Sequence, residues 1–143
     1  MRRTAYWTVE LLMLVLSVAV ATGARGDQLV LSPPVILPTD PDGIQRGDIT
    51  LDSYSYTPDH VIVRAGRPVE LTLTSKTWLT PHNFVMKESA ADIMVDKDVS
   101  AGENVTVRFT PQKPGIYSFY CDKKLLFFKS HREKGMEGLL EVQ

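Results

Sequence analysis

Val69, Leu71 and Leu73 alternate with Glu70, Thr72 and Thr74, and further on Val105, Val107 and Phe109 alternate with Thr106 and Arg108. A period of two sends successive side chains to opposite faces, so each run reads as a strand with one face buried. Helix signals are weak everywhere except for a turn or two within residues 123–134. Other short runs have the same character: Ile49-Thr50-Leu51 leading into Tyr54 and Tyr56, the β-branched Val61-Ile62-Val63, Ile116 to Tyr120, and Met136 to Val142. Segment 89–100 fits a strand or a loop. Ala65-Gly66, Pro111 and Pro114-Gly115 punctuate the series. Many short strands with turn signals between them predict an all-β, antiparallel β-sandwich of about eight strands.

Ahead of this domain lie two different stretches. Arg2 and Arg3, the apolar run Leu11 to Val20 and the small residues around Ala21 and Ala24 follow the order of an export signal, assigned to residues 1–24. Glu10 and Ser17 interrupt the run, which makes it short for a membrane span. An exported, periplasmic location is expected, with no membrane attachment unless this segment stays uncleaved. Pro33, Pro34, Pro38 and Pro41 then predict an extended, proline-rich arm over residues 25–46. That leaves residues 47–143 as one domain. With a net charge of −1 the chain has no basic excess of the kind nucleic acid selects.

One cysteine cannot pair within its own chain, so Cys121 in an oxidising compartment is a free thiol, an intermolecular bridge or a metal ligand. Its neighbours favour the last. It opens the pattern Cys121-x9-His131-x4-Met136, and Pro81-His82-Asn83 lies upstream. A thiolate, two imidazoles and a thioether make the set that redox-active copper prefers, a His2Cys plane with a weak axial Met. Taken singly, His82 also suits a strand histidine, His131 a surface one and Met136 core filler. The pattern carries the inference only as a whole. Met86 and Met94 read as core, and His60 as a turn residue.

The motifs Pro81-His82-Asn83, Pro114-Gly115-Ile116-Tyr117-Ser118-Phe119-Tyr120-Cys121 and His131 with Gly135-Met136-Glu137-Gly138 resemble those of the cupredoxins, the plastocyanin and azurin type of blue copper protein. The resemblance runs from about Gly47 to Val142. It implies a Greek-key sandwich holding one copper ion, Cu(I)/Cu(II), on His82, Cys121, His131 and Met136, with Asn83 tethering the ligand loop. It further implies one-electron transfer with protein redox partners, such as a cytochrome or a copper oxidoreductase, and His131 as the exit port. A monomer is expected.

One departure stands out. Small carriers of this family place only a few residues between the cysteine and the second histidine, and this chain has nine. Such long loops resemble those in the electron-accepting domains of copper nitrite reductases and multicopper oxidases. Here the loop carries Lys123, Lys124, Lys129 and Arg132 around the apolar run Leu125, Leu126, Phe127 and Phe128. At least two of the four are expected to pack beneath the loop. The rest, with the basic residues, would form a docking surface for an acidic partner. An enzyme is not expected: Tyr120 and Asp122 stand where multicopper oxidases place histidines, and three histidines cannot also build a catalytic copper cluster. The remaining alternative is a copper carrier for delivery or homeostasis.

Overall fold

The computed structural model describes residues 32–143, so the expected export signal (1–24) and the first part of the arm lie outside the described residues. Two sheets face one another. The larger has the order β1 (Val35–Ile36), β4 (His60–Val63), β10 (Glu137–Val142), β9 (Gly115–Tyr120), β6 (His82–Glu88) and β7 (Ile93–Val99). The smaller runs β3 (Ser55–Thr57), β2 (Gln45–Asp52), β5 (Val69–Ser75) and β8 (Asn104–Phe109). This is the expected all-β sandwich, with ten strands where about eight were expected. No helix among the described residues is long and apolar enough to cross a membrane.

The alternation in the sequence is the alternation of burial. Along β5, Val69, Leu71, Leu73 and Ser75 point inward and the intervening residues stand half out. Ile49 and Leu51 of β2 join them, and Phe84, Met86, Phe119, Leu140 and Val142 answer from the other sheet. An aromatic cluster closes the core at one end. Tyr56 meets Phe119 and Phe84 edge-on at 5.1 and 5.8 Å, while the two phenylalanines stack at 4.9 Å. Such geometries set the positive edge of one ring against the negative face of another.

The sandwich is not antiparallel throughout as expected: β2–β5, β4–β10 and β1–β4 are parallel pairs. A parallel neighbour requires a crossover, and the chain makes it by visiting the other sheet between β2 and β5. The ambiguous segment resolves into a short 3₁₀ turn, Ser89–Ala91, and the edge strand β7. Met94 is 66% exposed rather than core, because it alternates with the inward Ile93 and Val95. His60 opens β4 and meets Glu141 at 3.2 Å instead of sitting in a turn.

The proline-rich segment was expected to be an extended arm outside the core, yet its described part is packed onto the sandwich. Val35 and Ile36 pair with Val61 and Ile62, and the Leu37 N–H continues to the Ile62 carbonyl at 3.0 Å. Leu37 is buried against Gly47, where a Cβ would stand 2.5 Å from its side chain. Arg46 fastens the returning turn to Asp40 and Asp42 at 2.6 and 2.7 Å. The described part of this segment is thus packed onto the sandwich. Prolines keep β1 to two residues, since they lack the donors a longer ladder needs, and they confine it to the sheet edge. Leu37→Ala is expected to cost about 2–4 kcal/mol, read from the urea midpoint. A substitution without effect would return the segment to the status of a free arm.

Candidate metal centre

His82 opens β6, Cys121 follows β9, His131 leads into the 3₁₀ turn Arg132–Lys134, and Met136 precedes β10. All four lie at one end of the sandwich. His82, Cys121 and Met136 are fully buried, and His131 is 7% exposed. His82, Cys121 and His131 offer their ligating atoms to one small space. Their Nδ1–Nδ1 separation is 3.2 Å, and Cys121 Sγ lies 3.3 Å from Nδ1 of His131 and 3.9 Å from Nδ1 of His82. A point equidistant from the three atoms lies about 2.0 Å from each, the length of a metal–imidazole bond and slightly short of a metal–thiolate one. The donor set and its spacing therefore fit a metal ion of the soft, N/S-binding kind.

Met136 is held beside this triad by its backbone. Its N–H donates to the His131 carbonyl at 2.9 Å, and its carbonyl accepts from Cys121 N–H at 3.1 Å. The long loop is clamped at its base, where His131 N–H donates to the Lys123 carbonyl at 2.8 Å. Residues 124–130 are thereby extruded without spreading the ligands. Glu133 pins the far end, accepting from Ser130 N–H and Oγ at 2.7 and 2.8 Å.

Asn83 joins the two ligand strands. Its backbone N–H approaches Cys121 Sγ at 3.4 Å, its side-chain amide donates to Asp122 at 2.8 Å, and its side-chain oxygen accepts from Asp122 N–H at 3.1 Å. Sequence reasoning singled out Asn83 but missed Asp122, whose only signal was its place next to the cysteine. It also missed Tyr56, whose hydroxyl donates to the Asn83 carbonyl at 2.6 Å.

The four apolar loop residues do not pack beneath the loop: Leu125, Leu126, Phe127 and Phe128 are 54–85% exposed. The candidate ligands are already buried without these residues, so the extruded segment has no core of its own to cover. Leu125 and Phe128 instead line a hollow of about 360 Å³ together with Leu79, Pro81, Tyr54 and His131. Of the basic residues, Lys123 pairs with Asp98 at 2.6 Å and Arg132 with Glu137 at 2.8 Å. Lys124 and Lys129 have no carboxylate within ion-pair distance among the described residues.

Burial governs the protonation of the site. It pushes His82 down to about 4, helped by the neighbouring His131, and lowers His131 as well, helped by the charge of Lys134. Both rings are neutral at neutral pH, the form that ligates. Burial raises the Cys121 thiol, against hydrogen bonds from the Asn83 and Lys123 backbone, so a metal must displace its proton. An imidazole that protonates less readily folded than unfolded destabilises the fold once the unfolded chain takes up that proton. Stability of the metal-free protein is thus expected to be full above about 6.5 and to fall as the pH drops toward about 4. Urea midpoints across that window check it, and His82→Gln should flatten the fall.

The family model for the cupredoxin-like domain matches residues 12–135, ending one residue short of Met136. Plastocyanin from Dryopteris crassirhizoma is 27% identical over 111 residues, covering 70% of this chain and 98% of that protein. Among solved structures, the metal-binding domain of the Cu(I)-exporting P-type ATPase CopA of Streptococcus pneumoniae D39 with Cu(I) superposes with a TM-score of 0.60 at 22% identity, covering 79% of this chain and 98% of that one. Dithionite-reduced auracyanin from Roseiflexus castenholzii gives 0.55 at 21%, covering 68% and 96%. At such identities the structural likeness speaks for the fold, while the family match spans most of the sequence: the chain belongs to the cupredoxin-like domain family.

Proposed function

We propose that this protein is an exported, single-copper electron carrier, with His82, Cys121 and His131 as the strong ligands and Met136 as the axial one. The observation that carries the reading is the buried convergence of two imidazole nitrogens and one sulfur around a point at metal-bond distance. Copper in such a donor set supplies a reversible Cu(II)/Cu(I) couple and a thiolate charge-transfer absorption.

The chain's part is to hold the donors still. His82 is fixed by β6, Cys121 by the end of β9, and His131 and Met136 by the clasp between the loop base and β10. A frame that does not rearrange suits both oxidation states and keeps reorganisation small. The Asn83 N–H directed at Sγ favours the thiolate and moderates its electron density. Burial keeps bulk water off the ligands. It also weighs against the carrier-for-delivery reading, because handing over an ion needs ligands that a recipient can reach. The flanking Tyr120 and Asp122, in place of histidines, agree with a carrier that is not an enzyme. Lys124, Lys129 and the exposed Leu125–Phe128 run offer a basic and apolar rim to an acidic redox partner.

Addition of Cu(II) to the purified protein is expected to give one equivalent of intensely coloured, EPR-active centre that titrates reversibly with one electron. Cys121→Ser should abolish the colour. Met136→Leu should keep it and raise the reduction potential, since a lost thioether favours Cu(I). A colourless protein that takes zinc in preference would remove the electron-transfer reading.

A further inference from the structure

His131 was the expected exit port, yet its ring is almost wholly covered. Tyr54 packs against it, from the tip of the two-residue turn between β2 and β3, where Asp52 pairs with Ser55. This residue comes from the sheet that supplies none of the four ligands. Its ring meets that of His131 edge-on, with centroids 5.1 Å apart and planes at 71°. Tyr54 itself is 41% exposed and walls the hollow beside Leu79, Leu125 and Phe128. Lys134 fixes it from the other side: its ammonium lies 4.2 Å from the ring centroid and donates to the hydroxyl at 3.0 Å. A cation against the ring and hydroxyl favours one orientation of the phenol.

We propose that Tyr54, rather than the His131 edge, is the surface group through which a protein partner exchanges electrons with the metal centre. The inference rests on the electron-carrier reading above. Coupling through packed atoms falls off more slowly than coupling across a gap, and among the described residues Tyr54 is the exposed aromatic ring that packs on His131. An acceptor protein, a haem or copper protein with carboxylates around an apolar contact, would seat against Tyr54 with Lys134 and Lys124 facing its acidic groups. One electron leaves the reduced site and one arrives on the acceptor. No bond forms or breaks, no proton moves, and Tyr54 is neither oxidised nor reduced.

The test compares wild type, Tyr54→Phe and Tyr54→Ala in the full chain. Electron self-exchange, measured by NMR in mixtures of oxidised and reduced copper protein at high salt, uses this chain as its own protein-sized partner. Oxidation by ferricyanide uses a small anion that can enter the gap left by alanine. Tyr54→Phe should match wild type in both. Tyr54→Ala should slow self-exchange at least severalfold while ferricyanide reacts as fast or faster, with the EPR spectrum and potential unchanged. In the metal-free protein, carbethoxylation of His131, followed by peptide mass spectrometry, should accelerate severalfold in Tyr54→Ala only. Unchanged self-exchange in Tyr54→Ala overturns the proposal, as does an equal slowing with both oxidants or an altered EPR spectrum, either of which marks a structural role. A wild-type protein with no reversible copper couple fails the carrier reading instead, and takes the port with it. Unaltered His131 reactivity in the metal-free variant shows that Tyr54 does not cover the ring and also overturns it.

Discussion

The seam between β6 and β9 is what the site depends on. These strands bring His82 and Cys121 together from positions 39 residues apart, yet they share a single paired position, Val85 with Tyr120. No further paired position lies between that pair and the ligand candidates. Asn83 and Asp122 take over, with reciprocal hydrogen bonds of 2.8 and 3.1 Å. A side-chain bridge thus does at the sandwich mouth what main-chain pairing does in its interior. It leaves the Asn83 N–H free to point at sulfur. Below it, Tyr56 bonds the Asn83 carbonyl and packs on Phe84 and Phe119, so the bridge is seated on the aromatic core.

The long ligand loop poses a physical question that the structure answers simply. Additional residues between Cys121 and His131 could have drawn the imidazole away from the thiol. Closing the loop at its base prevents this, since the Lys123 carbonyl and the His131 N–H meet at 2.8 Å. The residues between them are looped out and bear almost none of the constraint on the ligands. That separates two tasks. The base keeps the geometry, while the extruded Leu125–Phe128 run shapes the surface beside the hollow and carries exposed apolar side chains that a monomer in water does not favour.

Much of this was legible in local residue patterns. Period two marked β5 and β8 because each buries one face only, and it places Met94 outward once Ile93 and Val95 are seen to face the core. The four ligand candidates were visible because their chemistry is rare in combination, and three of them converge on one space. The proline-rich segment was misread for a definite reason: prolines do argue against a long strand, but two residues between them suffice for an edge pair, and Leu37 then drops into the core beside Gly47. The apolar loop was misread because hydrophobicity alone does not say whether a core lies within reach.

Composition, periodicity and the spacing around Cys121 by themselves determined the sandwich class and singled out the candidate ligand side chains. Those properties follow from which residues alternate and which bear soft donors, and both are written along the chain. Which strands lie side by side in parallel, how the loop closes at Lys123, and that Tyr54 packs against His131 were decided only by the tertiary structure. Each joins residues far apart in sequence, and nothing in a local pattern encodes the packing of one sheet's hairpin tip against a ligand carried by the other.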